Sequence, residues 1–160
     1  MNIDLNQISI DLFKIIRPRD INICALISDV KGKIEYFVPN ENPISSEITT
    51  SQKFSKDLEK RHGSSYKSFI TNSTTWDEIE KKYKIKFETV DLLKVDLEGI
   101  DLKILKSIDI KKLNPKLVMV EAPHFEKLVR KQIISFLESK DYKIIYDNTL
   151  NIIFENSKKN

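Results

Sequence analysis

Val90-Asp91-Leu92-Leu93-Lys94-Val95-Asp96-Leu97-Glu98-Gly99-Ile100-Asp101 is the stretch whose reading decides the fold. Val90, Leu92, Leu93 and Val95 form a short apolar run with the length and β-branched content of a buried strand. The run breaks on Asp96, Glu98 and Gly99. From Ile100 onward apolar residues return at helical spacing, as Ile100, Ile104, Leu105 and Ile108, which predicts a helix continuing to about Leu113. Two carboxylates and a glycine therefore occupy a strand-to-helix turn. Ligands of open α/β sheets bind at such carboxyl ends of strands. The plainer alternative is that Asp96 and Glu98 only cap the helix and complement its positive N-terminus.

Downstream, Asn114-Pro115 marks a turn, and Lys116 to Val120 reads as a second buried strand that ends on Glu121. Phe125, Leu128, Val129, Ile133, Phe136 and Leu137 outline an amphipathic helix. His124, three residues after Glu121 in the loop before it, reads as an exposed polar residue, with an assisting role in the chemistry as the alternative. Tyr142 to Tyr146 and Leu150 to Phe154 are expected to be strands of a hairpin turning at Asp147-Asn148-Thr149. Residues 156–160 read as a frayed tail.

Upstream, Met1 to Leu5 resembles the end of a strand, with Asp4 near its carboxyl end. Ile8, Leu12, Ile15 and Ile16 form one helical stripe, capped by Asn6 or Ser9 and stopped by Pro18. Ile21 to Ile27 reads as a buried strand finishing at Ser28-Asp29, with Cys24 as a small core residue. Lys33 to Val38 alternates as a half-exposed strand. Residues 39–65 are polar and read as a surface excursion, holding a short helix over 52–61 and His62 as an exposed loop residue. Tyr66 to Asn72 is a further strand. Ser73-Thr74-Thr75 then caps a helix over Trp76–Tyr83, anchored by Trp76 and Ile79.

Composition narrows the classes. The chain has 160 residues, 40% apolar and 32% charged, enough for a single α/β domain over 1–160 with a real core. A net charge of +3, with lysines scattered along the helices, describes a solvated surface and no nucleic-acid footprint. One cysteine excludes an internal disulfide framework. No apolar run reaches the roughly 20 residues of a membrane span and no secretory signal is seen, so a cytoplasmic location is expected. Strands and helices alternate, which predicts a mostly parallel sheet closed by an antiparallel C-terminal hairpin. Asp4, Asp96 and Glu121 end strands, and Asp29 follows a fourth. On parallel strands these acids gather along one edge, suited to a ligand carrying hydroxyls or amines. The metal-ligand pattern of a His/Cys cluster is missing beside them, so no metal is assigned.

Leu93-Lys94-Val95-Asp96-Leu97-Glu98-Gly99-Ile100-Asp101 resembles the "LKIDVEG" signature of FkbM-type, S-adenosylmethionine-dependent methyltransferases. Asn2 to Asn6, Ala25 to Asp29 with Gly32 to Phe37, Thr74 to Ile79 and Lys116 to Glu121 resemble other segments of that family. The resemblance implies a Rossmann-like class I sheet and O-methyl transfer to a hydroxyl of a sugar, glycolipid or small metabolite. It places Asp4 on the ribose, Asp29 near adenine and Asp96 facing the methyl donor or acceptor, with Asp96, Glu98 and Glu121 as catalytic candidates. The family's glycine-rich turn after its first strand has no counterpart before Asp4. The domain is therefore expected to be N-terminally truncated, to hold the cofactor poorly by itself, and to be incomplete or inactive alone. The alternative is a non-catalytic remnant, or a subunit whose sheet is completed by a strand from a partner polypeptide. A dinucleotide-binding enzyme ranks below both, because its glycine fingerprint is also missing.

Overall fold

Strand β1 (Asn2–Asp4) leads through helix α1 (Gln7–Ile16) into β2 (Asn22–Cys24), which lies parallel to β1 with Asn2 opposite Asn22 and Asp4 opposite Cys24. The computed structural model of the chain describes residues 1–40, 47–63, 65–86 and 90–159, His62 by its backbone alone. These residues form two compact units, Met1–Ile79 with Glu98–Ile100, and Glu80–Leu97 with Asp101–Asn160. Parallel and antiparallel strands interleave with helices, so the chain is a mixed α/β protein.

In the first unit, Asn6 caps α1 by accepting from the backbone N–H of Ile8 at 3.0 Å and of Ser9 at 3.3 Å. The helix forms as expected, but the stripe does not face the core. Ile10 is fully buried, while Ile8, Leu12, Ile15 and Ile16 are 44–75% exposed. A helix that is apolar on two sides shows by periodicity which residues share a face, and the β1–β2 pair decides which face it takes.

The expected strand over Ile21–Ile27 is divided. Ala25 leaves the β2 ladder after its N–H reaches the Asp4 carbonyl at 2.9 Å, and β3 (Leu26–Ile27) pairs parallel with β5 (Tyr66–Thr74) in another sheet. Cys24 is exposed, not a core residue, because the period-two alternation turns Ile23 inward and Cys24 outward. Strand β4 (Lys33–Pro39) runs antiparallel to β5, giving the order β3-β5-β4.

The surface excursion falls partly on residues 41–46, outside the described residues. Beyond them Thr49 bridges to Phe37, and α2 (Gln52–His62) buries Leu58 and ends on Gly63 in the left-handed conformation. His62 closes this helix and does not lie in a loop. Helix α3 (Trp76–Tyr83) buries Trp76 and Ile79, as the sequence predicts.

The second unit is a four-stranded sheet in the order β6-β7-β9-β8, formed by β6 (Leu92–Val95), β7 (Leu117–Glu121), β8 (Tyr142–Asp147) and β9 (Asn151–Asn156). β6 and β7 are parallel, whereas β9 runs antiparallel to β7 and to β8. Val118 opposes Phe154 and Val120 opposes Ile152 on one face, and all four are fully buried. Ile133 and Leu137 of α6 (Lys127–Glu138) are equally buried, as are Ile104 and Leu105 of α4 (Asp101–Ser107).

The helix expected to reach Leu113 stops at Ser107 and resumes as α5 (Ile110–Leu113). The side chain of Asp109 accepts from the backbone N–H of Lys112 at 3.1 Å and caps the new start. β6 is less buried than its apolar run suggests, with Leu92 53% exposed and Val95 alone in the core. Phe125 and Leu128 also point outward, and the inner side of α6 takes Arg130 instead. At the C-terminal end of β9 the buried Asn156 amide donates to Asn114 Oδ1 at 2.7 Å, and its Oδ1 accepts from Lys158 N at 3.0 Å. Among the described residues no helix is long and apolar enough to cross a membrane.

Candidate functional site

Val95 is the last residue of β6 and is buried, so the chain leaves the sheet at Asp96, whose carboxylate is partly exposed and lies 2.8 Å from Lys94 Nζ. The backbone N–H of Leu97 donates to Asp101 Oδ1 at 2.7 Å. Asp101 is buried at the start of α4 and closes the strand-to-helix turn on its own side chain. Glu98 and Gly99, which belong to the first unit, both take positive φ, at 50° and 96°. The Glu98 carbonyl accepts from Thr49 Oγ1 at 2.5 Å, so its backbone is tied into that unit. A Cβ on Gly99 would meet the Phe54 side chain at 3.2 Å, and the left-handed conformation is strained for any other residue.

Glu121 ends β7. The parallel register sets Val95 opposite Val120, so the next residues of the two strands, Asp96 and Glu121, emerge side by side. Their carboxylate oxygens lie within 4.8 Å. Burial, followed by the charge of Asp96 and then that of Asp101, pushes the Glu121 carboxyl up from 4.5 to about 7, and a hydrogen bond to Asp96 adds to the shift. Two carboxylates this close retain a proton that neither would keep alone.

That shift has a stability consequence. A carboxyl whose folded pKa is raised binds its proton more tightly in the fold than in the unfolded chain. Its favourable contribution is complete below about 4.5 and is lost as pH rises through about 7. After allowance for the partial exposure of Glu121, the loss amounts to about 1–2 kcal/mol. Urea unfolding at pH 5 and pH 8 will show Glu121→Gln more stable than wild type at pH 8 by that margin, with a flatter pH dependence between. Parallel profiles for the two proteins would mean that Glu121 titrates normally.

Asp4 and Asp29 lie in the first unit, both half-buried, Asp4 at the end of β1 and Asp29 two residues beyond β3. Asp4 Oδ1 accepts from the Asn6 N–H at 2.8 Å, and Asp29 Oδ1 accepts from Ser28 Oγ at 3.1 Å. In the second unit the structure brings Asp96 and Glu121 together. Two residues escaped the sequence reading as supports of the turn, Asp101 and Thr49. An acid in the first helical turn was a visible signal for Asp101; Thr49 is joined to Glu98 only by the fold. Arg130 was missed as well, although it falls at helical spacing with Ile133 and Leu137 on the inner side of α6.

The family model of the Methyltransferase FkbM domain matches residues 3–144. No curated protein and no solved structure matches the chain. The matched span runs from β1 into β8 and takes in the strand ends at Asp4, Asp96 and Glu121. The chain belongs to the FkbM-domain methyltransferase family.

Proposed function

We propose that this chain serves S-adenosylmethionine-dependent O-methyl transfer to a hydroxyl of a sugar, glycolipid or small metabolite, as a Rossmann-like class I methyltransferase domain over 1–160. Family membership supports the reaction class, and the Asp96–Glu121 pair is the observation that carries the reading. S-adenosylmethionine, when bound, supplies a methyl group on a sulfonium. The residues present suit it chemically: carboxylates accept hydrogen bonds from ribose hydroxyls and an adenine amine, and they favour a sulfonium cation. Asp4 is assigned to the ribose, Asp29 to the adenine side, and Asp96 to the neighbourhood of the donor and acceptor.

An acceptor hydroxyl must lose its proton as its oxygen takes the methyl group. Glu121, beside Asp96 at the neighbouring strand end, accepts the hydrogen bond of that hydroxyl and orients it for the loss. Glu98 serves this turn through its backbone as the anchor of the helix end, or through its carboxylate as a further base.

A second reading has its own support. Among the described residues β1 pairs only with β2, and β6 only with β7. Each leaves one edge of backbone donors and acceptors on which a strand from another polypeptide can add, making the chain a non-catalytic remnant or one subunit of a shared sheet. Calorimetric titration with S-adenosylmethionine separates the two. Under the first reading the chain binds the cofactor and Asp4→Ala weakens binding about 10-fold or more, the worth of a charged hydrogen bond. Heat-silent titration of a folded chain favours the second, and equal affinity in Asp4→Ala removes Asp4 from the ribose.

A further inference from the structure

The loop after β7 carries a second constellation at the same end of the sheet. Arg130 is only 9% exposed on the inner side of α6. A buried guanidinium is costly unless its N–H groups find acceptors. Here they donate to the Ala122 carbonyl, one residue beyond Glu121, to Asp147 Oδ1, and to the Asn148 carbonyl at 3.4 Å. One arginine therefore joins the β7–α6 loop to the β8–β9 turn. Two backbone bonds join the same segments, from Ala122 N to the Leu150 carbonyl at 2.6 Å and from His124 N to the Thr149 carbonyl at 2.9 Å. The turn is shaped internally by Asn148 Oδ1, which accepts from Leu150 N at 2.9 Å and Asn151 N at 2.6 Å.

His124 thus stands on a loop with a fixed neighbour. Its Nε2 lies 3.6 Å from Asp147 Oδ1, and the ring is 55% exposed. Asp147 is held below the usual carboxylate range, first by Arg130 and then by His124. With Nε2 facing Asp147, Nδ1 is the ring nitrogen that this contact leaves over. Glu121 opposes Asn151 across the β7–β9 ladder, which sets this turn at the sheet end where Glu121 emerges.

We propose that His124 accepts the proton of the acceptor hydroxyl, with Asp147 aligning its ring and Arg130 fixing Asp147. The inference rests on the methyl-transfer reading above. As the new C–O bond forms and the C–S bond of the sulfonium breaks, the hydroxyl proton passes to His124 Nδ1 while Nε2–H stays on Asp147. The imidazolium then releases its proton to water. Asp147 and Arg130 are positioning residues. If Arg130 and Asp147 merely tied helix to hairpin, His124 would be a passive neighbour, and that difference is measurable.

The chain has two histidines, so long-range proton–nitrogen NMR reads the His124 ring with His62 as internal control. We expect the neutral His124 ring to carry its proton on Nε2, and Asp147→Asn to shift the tautomer balance toward Nδ1. His62 should not move. A His124 tautomer indifferent to Asp147→Asn overturns the proposal. In parallel, transfer of labelled methyl from S-adenosylmethionine to a panel of sugar and glycolipid acceptors is compared in wild type and His124→Gln. A fall in kcat of about 100-fold or more, with KM for the cofactor unchanged, supports the role, and equal kcat refutes it. If the wild type methylates nothing, the methyl-transfer reading fails and the base role falls with it. An intact His124–Asp147 signature by NMR would then show that the reaction was misassigned and the geometry was not.

Discussion

Asp96→Asn will lower methyl-transfer turnover by about 100- to 10,000-fold, the usual reach of acid–base and charge effects at a reacting centre. The same change will barely move the melting temperature. Among the described residues the ion pair it breaks, with Lys94, joins side chains that are 51% and 35% exposed. Such pairs contribute about 0–1 kcal/mol. The variant also removes the carboxylate charge beside Glu121, so the Glu121 midpoint will fall back toward 4.5. Separating these readouts matters, because a general loss of structure would depress turnover and stability together. A turnover change below about fivefold would remove Asp96 from the chemistry.

Phe154→Ala will cost about 3–5 kcal/mol, the range for emptying a buried aromatic site. Phe154 is fully buried on β9, the strand between β7 and β8, where it opposes Val118 and Ile144. Strand backbones hydrogen-bonded on both sides of β9 leave little room for the cavity to collapse. Small domains have only about 5–15 kcal/mol in hand, so the variant will sit near the edge of folding. Urea midpoints measure the loss. Ile144→Ala is the internal comparison: Ile144 is 37% exposed on the edge strand and should lose far less. If Phe154→Ala costs under about 1 kcal/mol, the packing described for β9 is wrong.

Local chemistry made much of the fold readable beforehand. Asn6 before Ile8, and Asp147-Asn148-Thr149 between two apolar runs, announce a helix start and a hairpin because the groups they satisfy lie within a few residues. The strand ends at Asp4 and Glu121 were readable for the same reason, since an apolar run stops where a carboxylate must meet water. The signature around Asp96 reached the family before any coordinate did.

What depends on distant partners was not readable. Nothing local tells that Ile21–Ile27 serves two sheets, that α1 presents Ile10 inward and leaves Ile8, Leu12, Ile15 and Ile16 outside, or that α6 buries an arginine to hold Asp147. The sequence by itself determined the order of elements and the carboxylates at strand ends, because hydrophobic period and turn chemistry act over neighbouring residues. Tertiary structure alone decided which of those carboxylates meet. The raised pKa of Glu121 comes from burial and from the charge of Asp96 on another strand, and both exist only when the register of β6 against β7 brings the two side chains to one place.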